Sequence, residues 1–237
     1  MLGPLEDAIK LQEIARSFRK KGDALRNKVG REEDAIGAYR SGLAALNEAL
    51  GLLKEKDEML QVTSPPLPSD AAPDLRELIE IYGALGGIHQ RLGEPEESLA
   101  SYEKGAALEE KFGQANTYNR LNAVRYSLLT GPDLLRSLET RIQTLADFID
   151  TSLRADKSLS DQGWAWADLG DCLALLGRTE EAGRAYATFI AKAEIKSPQR
   201  TLDVLNKIAS KLQSKGDPDA PRLAMAIDTL NAKLVTR

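Results

Sequence analysis

Few side chains in this chain could carry chemistry. His89 is the only histidine and Cys172 the only cysteine. A metal site needs several ligands at suitable spacing, and His89 has no such companions. A cysteine nucleophile needs a base beside it, and the one histidine stands far along the chain. Both residues read as packing groups, since a free cysteine is commonly buried. The carboxylate pairs Glu96-Glu97 and Glu180-Glu181 follow turns at helix starts, where they complement the positive helix pole. No GxxxxGKS/T, no GxGxxG after a strand and no GxSxG occurs. Gly83, Gly86 and Gly87 form a glycine-rich patch within a helix rather than a phosphate loop. Trp164 and Trp166 could stack on a ligand. Arg16, Arg19, Lys20, Lys21, Arg26, Lys28 and Arg31 form a basic cluster suited to an acidic partner. It lacks interleaved aromatics apart from Phe18. We therefore expect no catalytic residues, no metal and no cofactor.

These residues must be positioned by helices. Hydrophobic residues make up 42% of the 237 and aromatics 5%, with Ala and Leu dominant, which favours helix over strand. Helices are expected over 4–29 and from 32 to about 60. The segment 62–73 carries four prolines and reads as an extended, exposed linker. Further helices follow over 74–92, from 95 to about 112, and over 115–130, 133–153, 161–176, 179–195, 199–215 and 219–235. Gly93, Gly131-Pro132, Gly177, Ser197-Pro198 and Gly216-Asp217-Pro218 punctuate them. The net charge is −4, but residues 55–110 hold thirteen acidic and four basic residues, while 190–237 hold nine basic and five acidic. The balance argues against nucleic acid or an anionic membrane as partner. No apolar run approaches the roughly 20 residues of a membrane span, and nothing at the start reads as a signal peptide. One cysteine permits no internal disulfide and fits a reducing, cytoplasmic location.

Two segments share one pattern. Tyr82, Leu85, Gly86, His89, Gly93, Ser98 and Tyr102 recur, type for type, as Trp166, Leu169, Gly170, Leu173, Gly177, Ala182 and Tyr186. Such a repeat marks helical hairpins stacked into a solenoid. The glycine inside each first helix lets a partner helix approach closely, offsetting its helix cost of about 1 kcal/mol. Tyr82 and Trp166 are expected to fill the gaps between successive hairpins, which would leave Trp164 as the freer tryptophan.

This pattern resembles the tetratricopeptide repeat over 79–112 and 163–196. His89 and Leu173 stand where a Tyr is usual, and Gly105 and Phe189 where a small Ala is common. Phe18, Gly22, Leu25, Gly30, Ala35 and Tyr39 resemble a degenerate copy with one extra residue before Gly30. Tyr118, Leu121 and Asn122 resemble a third, with Asn for Gly. Tyr118-Asn119-Arg120-Leu121-Asn122-Ala123, followed by a long helix and the Trp-rich hairpin, is also similar to TRAF-binding-type signalling domains. The resemblance implies an all-α, right-handed α-solenoid of about five antiparallel helix hairpins and no sheet. It divides into an N-terminal hairpin at 1–61, the linker at 62–73, a core at 74–196 and a C-terminal capping hairpin at 197–237.

The function this implies is a non-enzymatic protein-interaction module, an adaptor or regulatory scaffold taking a peptide or helix in a concave groove. Family geometry places Gly83, Gly87, Gln90 and Arg91, then Asn119, Ala123, Tyr126 and Ser127, then Ala167, Asp171, Ala174 and Leu175 along that groove. The Lys/Asn/Arg clamp of chaperone-binding members is not visible in them. Gln90, Arg91, Asn119, Tyr126, Trp164 and Asp171, with Arg19 and Lys20 of the basic cluster, are the expected partner-binding residues. Two other readings stay open: a self-assembling subunit of a larger complex, making a homo-oligomer, and a small-ligand sensor.

Overall fold

The computed structural model describes residues 3–161, 163–193 and 199–235, and among them there is no strand. The chain forms two compact units, Met1–Ala123 and Val124–Arg237. The break expected at Ser197-Pro198 lies outside the described residues, as does the end of the helix expected over 179–195.

In the first unit, α1 (Pro4–Arg26) packs on α2 (Glu32–Leu52), and α4 (Ala72–Leu92) packs on α5 (Pro95–Lys111) and on α2. Pro4, Pro73 and Pro95 each occupy a first-turn position, where no intrahelical donor is lost. Acidic first turns follow Pro4 and Pro95 and complement the helix poles. Gly93 closes α4 in the left-handed conformation at φ 76°, which a residue with a Cβ adopts only at a cost. The long second helix expected to about Leu60 is interrupted at Leu53. A separate helix, α3 (Lys54–Val62), resumes at once and packs on α4. Apolar spacing continues through the break, which is why the sequence reads as one helix. The break lets Leu53 and Leu60 both enter the core, and it carries Asp57 to the Tyr82 hydroxyl at 2.6 Å. The proline-rich segment then passes through a turn at Ser69–Ala71, with Leu67 and Ala71 held against the core.

The second unit begins within α6 (Tyr118–Thr130). α7 (Leu135–Ala155) packs on α9 (Trp164–Leu175), and a short α8 (Lys157–Asp161) intervenes. α9 packs on α10 (Thr179–Ala193), α11 (Gln199–Ser214) on α12 (Ala220–Val235), and α12 on α10. Twelve α-helices are therefore described where ten were expected. α3 and α8 are the additional ones.

A turn-to-turn staple secures the last pair. The Lys215 ammonium donates to the backbone carbonyls of Leu128, Gly131 and Asp133, at and just beyond the C-terminal end of α6. Two residues on, the Asp217 carboxylate accepts the N–H of Leu135, the first residue of α7, at 2.7 Å. A cation thus meets a helix C-terminus and an anion a helix N-terminus, the favourable sense at both.

Candidate partner-binding face

The repeat register is built on glycine–tyrosine contacts. A Cβ at Gly86 would lie 2.6 Å from the Tyr102 ring, and one at Gly170 would lie 2.7 Å from Tyr186. Gly22 meets Tyr39 in the same way. The degenerate first hairpin therefore keeps the pairing, with its extra residue absorbed in the turn. Ser98 is fully buried and donates to the Gly86 carbonyl at 2.9 Å, so the small residue of the second helix contributes to the same close approach.

Two of these pairs share a feature that the repeat pattern does not include. Asp23 follows Gly22, and Asp171 follows Gly170. Tyr39 donates to Asp23 at 2.8 Å, and Tyr186 donates to Asp171. Each aspartate also holds an arginine, Arg91 on Asp23 and Arg125 on Asp171. The repeated Gly-Asp, with Tyr 16 or 17 residues after the Gly, was the available signal. In the repeat over 79–112, Gly87 stands where the other two place Asp. The atoms nearest a Cβ at Gly87 would be Arg91 Nη1 at 3.6 Å and the Tyr102 and Tyr118 hydroxyls at 3.8 Å.

Arg91 and the basic helix α1, which the sequence presents as separate candidates, come together here. Arg91 Nε and Nη2 grip the two Asp23 oxygens at 2.6 and 3.2 Å, and Nη1 donates to the Gly87 carbonyl at 2.8 Å. Burial disfavours the charge on Asp23. The hydrogen bonds from Arg91 and Tyr39, with the charge of Arg91, outweigh it and hold the carboxyl below its usual range. Burial likewise opposes the Arg91 charge, and Asp23 more than compensates. The Arg19 charge also acts on Asp23, and Arg19 Nε is buried with no hydrogen-bond partner. Lys20 and Gln90 are exposed. Tyr118 lies over the glycine patch, its ring 3.1 Å from where a Gly83 Cβ would stand, and is 45% exposed. Its ring meets Tyr102 edge-on at 5.9 Å. The result is a partly open face of two first helices: a neutralised ion pair, an exposed tyrosine and an exposed lysine.

Other expected site residues are placed differently. Asn119 is buried, its amide donating to the Ile79 carbonyl at 3.1 Å and to Glu109 at 2.8 Å. Glu109 also accepts the backbone N–H groups of Asn119 and Arg120, capping α6. Burial pushes its pKa up to about 7, against those hydrogen bonds. A Cβ at Gly105 would fall 2.5 Å from the Asn119 amide, so the departure from Ala at this position makes room for Asn119. The second departure, Phe189, is buried and faces Trp164 at a ring distance of 5.0 Å. Trp164 is nevertheless 63% exposed, and Tyr126 is buried. Asp171 is fully buried between Arg125 and Tyr186, so its carboxylate serves the interior. His89 is partly buried and bonds Glu94 at 2.7 Å, and Cys172 is fully buried. Trp166, expected in the gap between hairpins, is only half-buried, with its indole N–H on the Ser160 carbonyl.

Among the described residues, no group of three or more His, Cys, Asp or Glu side chains could hold a metal ion. No helix among them is long and apolar enough to cross a membrane.

Hairpins closed by glycine–tyrosine contacts and packed on their neighbours give an all-α repeat architecture. Residues 79–112 match the family model for the tetratricopeptide repeat. Among solved structures it is similar to a Podosopora anserina protein described as a kinesin light chain with nearly identical TPR-like repeats. One structure of that protein shares 16% identity, with 98% of each chain covered and a TM-score of 0.48. A single-substitution variant of it shares 15% identity, with 100% of each chain covered and a TM-score of 0.49. No curated protein sequence matches the chain.

Proposed function

We propose that the chain is a non-enzymatic adaptor that binds a peptide or helix from a protein partner across the first-helix face of the unit Met1–Ala123. One observation carries this reading: the Asp23–Arg91 pair joins α1 to α4 in a half-open setting, flanked by exposed Tyr118 and Lys20. Tyrosine and arginine are the residue types that dominate binding energy at protein interfaces. The ion pair fixes the Arg91 fork before any partner arrives, which lowers the ordering cost of binding. Gln90 and Arg19 border the same face. The buried Asn119 contributes by holding the start of α6, and hence Tyr118, in place.

Affinity capture with mass spectrometry, run on the full chain and on a Lys20→Glu, Tyr118→Ala double variant, tests this. Lys20 is exposed, whereas Tyr118 also packs on Tyr102, so the double variant should stay folded with a modestly lowered thermal midpoint while the captured partner is lost. A partner retained at wild-type yield by a folded double variant would remove the face from consideration.

A further inference from the structure

The unit Val124–Arg237 holds a cleft of about 280 Å³ between α7 and α10, floored by α9. That is just below the usual range for small-ligand sites, about 300–1,000 Å³. It suits one large side chain rather than a whole helix. Its floor is Trp166, Leu169 and Leu173, which share one face of α9. The bond from the Trp166 indole to the Ser160 carbonyl fixes the ring. Half-buried Trp166 is thus an aromatic surface facing an opening, not a residue sealed in the core.

The walls are charged, and their pairing leaves one cation over. Asp150 holds Arg154 at 2.7 Å. Glu181 holds Arg178 through two bonds of 2.7 and 2.6 Å. Asp147 accepts from Gln143 at 2.8 Å and lies in the field of Arg178. Arg184 lines the cleft, is exposed, and makes no ion pair among the described residues; it acts on Glu181 through its charge alone. Three carboxylates on the walls would repel a polyphosphate backbone, so a nucleic acid does not suit the cleft. A single carboxylate beside Arg184 does suit it, because a guanidinium pairs with a carboxylate in a fixed fork.

We propose that this cleft is a second peptide-docking site, taking one large apolar side chain next to an acidic residue. The apolar group stacks on Trp166, Leu169 and Leu173, and the neighbouring carboxylate pairs with Arg184. The site lies in a different unit from the Tyr118–Arg91 face and stands or falls independently of it.

The probe is the dipeptide Ac-Phe-Glu-NH2, titrated into the full chain while the Trp166 indole N–H is followed by NMR. Ac-Phe-Gln-NH2 and Ac-Ala-Glu-NH2 serve as controls. Ac-Phe-Glu-NH2 should shift that signal and bind about fivefold more tightly than either control, the scale of one rim ion pair. Arg184→Glu should leave the fold intact and reverse the preference toward Ac-Phe-Lys-NH2. Three results would each overturn the proposal: an indole signal that no peptide moves, equal binding by Ac-Phe-Gln-NH2, or an Arg184→Glu variant with the wild-type order.

Discussion

Adjacent glycines in α4 do opposite jobs. Gly86 faces the buried Tyr102 ring at a distance no Cβ could share, whereas the surroundings of Gly87 admit one. Gly86→Ala should lower stability, since forcing atoms into a packed core costs about 1–3 kcal/mol. Gly87→Ala should raise it by up to about 1 kcal/mol through helix propensity. Paired thermal melts decide; shifts of the same sign would contradict the packing described. Glu77 makes a second test. Its carboxyl is buried, Oε1 has no hydrogen-bond partner, and burial raises its pKa, with Glu80 and Glu13 adding to the rise and Arg16 opposing it. A carboxyl whose folded pKa is raised binds its proton more tightly when folded. Its stabilising effect is therefore complete below the ordinary value of 4.5 and is lost as pH rises through the folded value. Glu77→Gln should be more stable than wild type at pH 8, by a margin that narrows on acidification; a margin independent of pH would refute this. Gly86 was legible in the sequence because its partner recurs at fixed spacing. The Asp23–Arg91 pair was not, because 68 residues separate its members and only stacking joins them. Asn119 looked like a groove residue by register alone, and nothing in the sequence indicated that Gly105 and Glu109 enclose it.

Among the elements, the turn-to-turn staple at Lys215 and Asp217 carries the clearest prediction. Lys215→Met keeps the aliphatic stem but withdraws the ammonium from three carbonyls. Loss of charge-assisted bonds of this kind costs about 1–3 kcal/mol. Both tryptophans lie in this unit, so urea unfolding followed by tryptophan fluorescence reads the change directly. An unchanged midpoint would mean that water replaces the ammonium without loss. The punctuation of the helices by Gly93, Gly177 and Gly216 could be read from sequence, since each is a glycine at positive φ. The interruption at Leu53 could not, because it is set by where Leu60 and Asp57 must reach rather than by any helix-breaking residue.

For the molecule as a whole, the strongest contacts are local to a hairpin or its neighbour, as in repeat proteins generally. Opening should therefore proceed by units rather than in one step. Hydrogen exchange across a denaturant series should resolve two cooperative blocks dividing near residue 123. One common isotherm for all protected amides would rule that out. Cys172 extends the same idea. It is the sole thiol of the chain and is wholly enclosed beside Gly170 in α9. A thiol-reactive dye can reach it only when that hairpin comes apart, so the labelling rate is a clock for one hairpin's opening. The native chain thus carries its own stopwatch, and any ligand that settles into the cleft floored by Trp166 should slow it.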